Sequence, residues 1–280
     1  MQPPPRHALL VLGMHRSGTS ALARVLMLHG LASPTTEITV AADNPRGFWE
    51  PRDVQMFNDR LLAHLARTWR DTRPVPLDTM PEAERAVWRA EAAAVLAAEF
   101  PGDAPFVLKE PRLARLLPFW LPVLAEAGVQ PRVALALRNP LEVAASLAAR
   151  NGMAQAQALL LWAGHMLAAE RQTRHLTRRI MAFDALLGDW RAALSGPFMA
   201  TLLPAGATPD ATAIDDFLSG SLRHHAVSTD DLLRRADVPQ LVRRAYAALR
   251  VAPDAEPDTA ALDLCAAEFA SFMAGQASLS

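Results

Sequence analysis

Residues 13–20 read Gly13-Met14-His15-Arg16-Ser17-Gly18-Thr19-Ser20, "GMHRSGTS". The phosphate-gripping loop pattern is G-x-x-x-x-G-K-[ST]. Gly13, Gly18 and Ser20 fill it, but Thr19 stands where the pattern has Lys, and a cation, Arg16, lies inside the loop. A short apolar run closes on Gly13, and "SGTSALARVLMLHG" follows with apolar residues at helical spacing and a stop at Gly30. The stretch is therefore a strand, a tight loop and a helix. Glycines let a backbone close around an anion, and the helix N-terminus aims N–H groups and a positive dipole end at it.

Working outward, strands alternate with helices to about residue 195. "PFVLKEPR" predicts a second strand, "RVALALRN" a third and "RRIMAFD" a fourth. "LARLLPFWLPVLAEAG" is helical but carries Pro118 and Pro122, which predict a kink or two short helices. The alternation predicts an α/β fold of three layers, a parallel sheet with helices on both faces. Residues 1–200 form this domain, and 201–280 form a mostly helical extension packed on it. Ligands of such sheets sit beyond the carboxyl ends of the strands. Three strand ends carry cations there: Arg16 after the first, Lys109 and Arg112 at the second, Arg138 at the third.

The chain has 280 residues and a net charge of -1, so no global basic field points to nucleic acid. Its one cysteine, Cys265, excludes an intrachain disulfide framework. The N-terminal apolar run, Ala8 to Leu12, is shorter than the roughly 7–15 residues of a signal peptide's core. The most apolar later stretch, "ALLLWAGHMLAAE", is interrupted by His165 and reads as a buried helix rather than a membrane span of about 20 residues. These features predict a soluble, cytoplasmic protein. The sharpest compositional signal is that 27 of the 28 basic residues are Arg and one is Lys, at position 109. Arg and Lys are not equivalent where a compact point charge is needed, so Lys109 is a candidate on composition alone.

The loop lacks the Lys that reaches a γ-phosphate, and no apolar strand before Asp184 ends in an acid suited to magnesium. It is built for an anion held by cations and backbone, without a metal. Here "HRSGTSAL" resembles the 5'-phosphosulfate loop of sulfotransferases that use 3'-phosphoadenosine 5'-phosphosulfate (PAPS). "LRNPLEVAASLAARNG" resembles their 3'-phosphate segment, with Arg138 followed eight residues later by Ser146. "NPRGFWE" and "KEPRL" resemble the bacterial branch of this P-loop superfamily. The resemblance covers about residues 8–195. It lacks the dimerisation signature of the cytosolic animal members.

The resemblance implies a PAPS-dependent sulfotransferase with a small-molecule or glycan acceptor. It places Arg16 beside the 5'-phosphosulfate, with Ser17, Gly18, Thr19 and Ser20 as N–H and hydroxyl donors. It places Arg138 and Ser146 on the 3'-phosphate, and Lys109 on the sulfuryl or bridging oxygen. Candidate bases for the acceptor are Glu50, Glu110, Glu37 and His15. Glu50 leads, because its neighbours Phe48 and Trp49 can desolvate it and pack on an acceptor. Glu110 is expected to orient Lys109 or Arg112. "RHH" at 223–225 could fold back on the nucleotide. The alternatives are a P-loop nucleotide kinase or other phosphotransferase, and a nucleotide-binding protein without turnover.

Overall fold

The computed structural model describes residues 6–38, 46–201, 208–218, 226–252 and 254–277. Part of the loop before Glu50 and the 223–225 stretch lie outside these residues. The elements are β1 (Arg6–Leu12), α1 (Thr19–Leu28), α2 (Arg52–His64), α3 (Glu82–Glu99), β2 (Phe106–Lys109), α4 (Leu113–Glu126), β3 (Val129–Leu137), α5 (Pro140–Asn151) and α6 (Gln155–Thr173). β4 (Arg178–Ala182) follows, then α7 (Phe183–Gly188), α8 (Trp190–Ala193), α9 (Pro197–Ala200), α10 (Ala211–Leu218), α11 (Thr229–Arg234), α12 (Gln240–Leu249) and α13 (Thr259–Ala277).

The sheet is wholly parallel in the order β2-β1-β3-β4. Side chains of a strand alternate between its faces, and here the alternation separates two cores. Ala8, Leu10, Phe106, Leu108, Val133 and Leu135 pack with α2, α3 and α4. Leu9, Val11, Val107, Ala134 and Ala136 pack with α1 and with α7–α10. This is the three-layer P-loop type of fold that the sequence predicts. A third core surrounds Trp162 of α6 and takes in residues of α5, α11, α12 and α13. The C-terminal helices α12 and α13 pack against α6.

Two local expectations are narrowed. Of the two outcomes expected at Pro118 and Pro122, two short helices do not occur, and α4 is one helix. Each proline costs a helix interior about 3 kcal/mol. Leu113, Leu116, Leu117, Trp120, Val123 and Leu124 are all buried on this helix. At about 1.5–3 kcal/mol per large apolar side chain, their burial outweighs two prolines. The fourth strand ends at Ala182, so Phe183 and Asp184 already belong to α7. The single helix expected after it is broken at Asp189, whose extended backbone (φ -153°) lets its carboxylate accept from Ala192 N–H and cap α8. No helix among the described residues is long and apolar enough to cross a membrane.

Candidate active site

Because β1 is central, the chain leaves it for β2 on one side and then reaches β3 on the other. The loop Gly13–Ser20 occupies the crevice at this switch point, over the carboxyl ends of the strands. Its shape depends on glycine twice. Gly13 has φ 152°, and a Cβ there would lie 2.8 Å from Ala136 O. Gly18 has φ 83°, and a Cβ there would lie 2.2 Å from the ring of Phe183. Arg16 takes a left-handed backbone (φ 68°) between them, a conformation that costs a non-glycine residue about 1–2 kcal/mol. Ser17 N–H closes the loop onto Met14 O at 3.1 Å. The first bond of α1 is Leu22 N–H to Gly18 O, so the N–H groups of Thr19, Ser20 and Ala21 precede the helical ladder.

A cleft of about 90 Å³ opens above the loop, lined by Arg16, Gly18, Thr19 and Ser20 from the loop and first turn, with His15 beneath. Lys109 of β2, Arg138 just after β3 and Arg150 of α5 supply cations, and among the described residues Glu50 supplies the one carboxylate. Lys109 is 2% exposed. Its Nζ donates to Ser20 Oγ and to Phe48 O, both at 3.1 Å, and to Glu50 Oε1. Glu50 is buried beside it. Arg16 Nε donates to Ser146 Oγ at 2.8 Å, and Arg138 Nη1 donates to Arg16 O at 3.0 Å. The residues assigned to the two ends of a nucleotide thus touch each other. Arg138 also lies 4.7 Å over the Phe183 ring and donates to Glu142 Oε2 at 2.9 Å. Through Arg138 and Phe183 the cleft adjoins a second cavity of about 580 Å³, walled by the 226–229 segment, Tyr246 and Arg250.

Of the candidate bases, Glu50 and His15 line the cleft, and Glu110 and Glu37 do not. Glu110 is fully buried and accepts from Asn58 Nδ2 at 2.6 Å and from Arg112. Burial pushes its carboxyl up, and Arg112 opposes that shift. Glu37 is half-buried and bridges to Pro51. Burial pushes its carboxyl up too, against Arg24. His15 packs against Trp69 at 4.5 Å and edge-on to His165 at 6.2 Å. Burial, then the charges of Arg112 and Lys109 and the neighbouring His165, hold His15 well below the usual imidazole range. His165, buried behind it with Arg115 nearby, is lowered to about 3. Both Nε2 atoms are buried without a hydrogen-bond partner.

Trp49 is a correction. Phe48 lines the cleft beneath Arg150. Trp49, with φ 57°, turns the other way. It donates to Arg46 O at 2.8 Å, packs edge-on to Phe217 and lies under Arg24. Only one of the two aromatics can therefore desolvate Glu50 or meet an acceptor. The Ser17 side chain is buried outside the cleft lining, with an unpartnered hydroxyl. Sequence reasoning missed Phe183, Glu142 and the 226–228 segment, whose Val227 N–H donates to Glu142 Oε1 at 2.9 Å. The Arg138–Glu142 spacing of four within one helical start was the available signal. Nothing in the sequence pointed to 226–228. Among the described residues, no group of three or more His, Cys, Asp or Glu is placed to hold a metal ion.

The model of the sulfotransferase family matches residues 8–199, so the chain belongs to that family. No curated protein matches it. Among solved structures it is similar to the sulfotransferase domain from the Synechococcus PCC 7002 olefin synthase, at 17% identity and a TM-score of 0.43, covering 95% of this chain and 97% of that one. It is also similar to the sulfotransferase domain from the curacin biosynthetic pathway, at 14% identity and a TM-score of 0.40, covering 96% and 98%.

Proposed function

We propose that this sulfotransferase takes its sulfuryl group from PAPS and passes it, without a metal, to a hydroxyl of a carbohydrate or other small metabolite. The observation that carries the reading is the charge of the cleft: among the described residues Arg16, Lys109, Arg138 and Arg150 face a single carboxylate, Glu50. Such a site favours a multiply charged anion. The glycine loop fits the 5'-phosphosulfate, and the 580 Å³ cavity beyond Arg138 has the size of a small-molecule pocket and fits the nucleoside and 3'-phosphate.

In the transfer, the acceptor oxygen forms a bond to sulfur while the bond from sulfur to the bridging phosphate oxygen breaks. The electron pair leaves with adenosine 3',5'-bisphosphate. Negative charge grows on the bridging and equatorial oxygens, where Lys109 Nζ and the first-turn N–H groups of α1 meet it without rearranging. Ser20 Oγ holds Lys109 at the loop. Glu50 Oε1 takes one Lys109 bond, and Oε2 has no partner among the described residues. Oε2 is the atom that receives the acceptor's proton. Arg138 grips the 3'-phosphate, and Ser146 sets the angle of Arg16.

Thermal shift tests this reading. Adenosine 3',5'-bisphosphate should raise the melting temperature, and ATP with magnesium should not. Sulfuryl transfer from PAPS should persist in EDTA. Stabilisation by ATP with magnesium alone would replace the sulfotransferase reading with a phosphotransferase one.

A further inference from the structure

A separate cavity of about 540 Å³ lies where the 72–80 segment and α3 meet α4, α6 and α13. It shares no lining residue with the transfer cleft or the adjoining cavity. Its walls are largely apolar, with Met80, Phe119, Leu167 and Phe269 among them. A packed interior leaves few voids larger than a water, so an apolar space of this size reads as a pocket for a ligand.

The polar groups on its wall are incomplete. Arg115 donates to the carbonyls of Asp71 and Arg73 but makes no ion pair among the described residues. Burial lowers its guanidinium to about 10, against the charge of nearby Asp71. Arg171 likewise makes no ion pair there. Gln172 Oε1 is buried with no donor. Arg85 adds a third cation, itself paired with Glu82 at 3.3 Å and bonded to Leu77 O and Met80 O, and among the described residues Asp78 is the one acid on the lining. Arg115 is half-buried and Arg171 exposed, and an arriving anion would give both a partner.

We propose that this cavity binds an amphipathic carboxylate, its apolar body among Phe119, Leu167 and Phe269 and its head group on Arg115 and Arg171. The cations select the charge, and the apolar wall selects the chain. His165 of α6 follows the lining residue Gly164 in sequence and lies edge-on to His15 of the loop. A ligand here would therefore rest against the back of the wall that supports the cleft.

Calorimetric titration of the full chain with decanoate, below its micelle concentration, tests this. Decanoate should bind saturably at one site, and decanol, which lacks the charge, about tenfold more weakly. Arg115→Met keeps the packing of the stem and should weaken decanoate about tenfold while leaving decanol unchanged. Arg171 is exposed, so Arg171→Gln does not threaten the fold and should weaken decanoate several-fold. Saturating adenosine 3',5'-bisphosphate should leave the affinity unchanged. Absent binding, equal affinity for decanol, or unchanged affinity in both variants would overturn the proposal. So would displacement by the bisphosphate, which would place decanoate in the cleft instead.

Discussion

Lys109 and Glu110 are neighbours at the end of one strand, and each enters a buried ion pair, Lys109 with Glu50 and Glu110 with Arg112. Strand alternation sends them to opposite faces. On one face the pair is enclosed in a wider network. Glu110 takes Asn58 Nδ2 and Arg112, Asn58 Oδ1 takes Trp120 Nε1 at 2.8 Å, and Arg112 reaches Asp59 at 2.6 and 3.1 Å. On the other face the bonds stay open. Lys109 and Glu50 border a cleft, and Glu50 keeps an oxygen without a partner among the described residues. Similar chemistry in similar burial is thus enclosed on one side and borders the cleft on the other, and the proposed function makes the bordering pair the reactive one.

The comparison breaks if the two glutamates respond alike in turnover. Glu50→Gln keeps an acceptor for Lys109, which also retains Ser20 Oγ and Phe48 O. It removes the buried counter-charge of Lys109, so it should lose stability in urea unfolding, while nucleotide still binds and turnover per folded molecule falls roughly 10²–10⁴-fold, the usual worth of a positioned base. Glu110→Gln strips the charge from the closed pair. Removing one partner of a buried pair costs about 3–5 kcal/mol, and that should appear in urea unfolding, with turnover per folded molecule near that of the parent. Normal turnover in Glu50→Gln together with lost turnover in folded Glu110→Gln would reverse the assignment. His15→Ala is the control for the other candidate base in the cleft.

A smaller effect separates the two ends of the proposed nucleotide site. Arg138→Ala should weaken adenosine 3',5'-bisphosphate by about 1.5–3 kcal/mol, the range for a hydrogen bond to a charged group. AMP, which lacks the 3'-phosphate, should lose far less in the same titration. Equal losses would mean that Arg138 acts through Arg16 O and Glu142, its present partners, and belongs with the closed network.

The sequence made the site legible where chemistry is carried by local spacing. The loop glycines, the lone lysine at a strand end and Arg138 at the head of a proline-started helix all meet at one edge, because parallel strands bring their carboxyl ends together. It did not show which of two adjacent side chains faces the cleft. Trp49 and Phe48 were grouped, although the positive φ of Trp49 turns its ring toward Phe217. Phe183 carries no local pattern that marks it, and its neighbour Asp184 pairs with Arg250 at 2.7 Å. Contacts such as Val227 with Glu142 span 85 residues and have no periodicity to reveal them. The continuity of α4 turned on summed burial, which a local proline rule does not weigh.

The least dramatic prediction probes the wall between the two pairs. His15 is pressed by Arg112 of the closed pair and Lys109 of the open one, and His165 stands behind it. Both imidazoles have folded pKa values below the unfolded value of about 6.5. Above pH 6.5 both states are neutral and neither histidine affects stability. As pH falls below that, the unfolded chain takes up protons that the folded chain refuses, down to about pH 3 at His165. Stability should therefore fall on acidification, by up to about 1.4 kcal/mol per pH unit for each histidine. His7 and His29 are shifted in the same direction by burial, so the total slope is not diagnostic. The difference between parent and variant is. His165→Gln can still donate to Leu161 O, the present partner of Nδ1. Urea unfolding at pH 7.5, 6 and 5 should show the variant losing less stability than the parent, by about one proton's worth of slope. Parallel slopes would mean that the wall opens to water and that His165 titrates in the folded protein. The barrier between the open pair and the closed one would then be far leakier than the packing indicates.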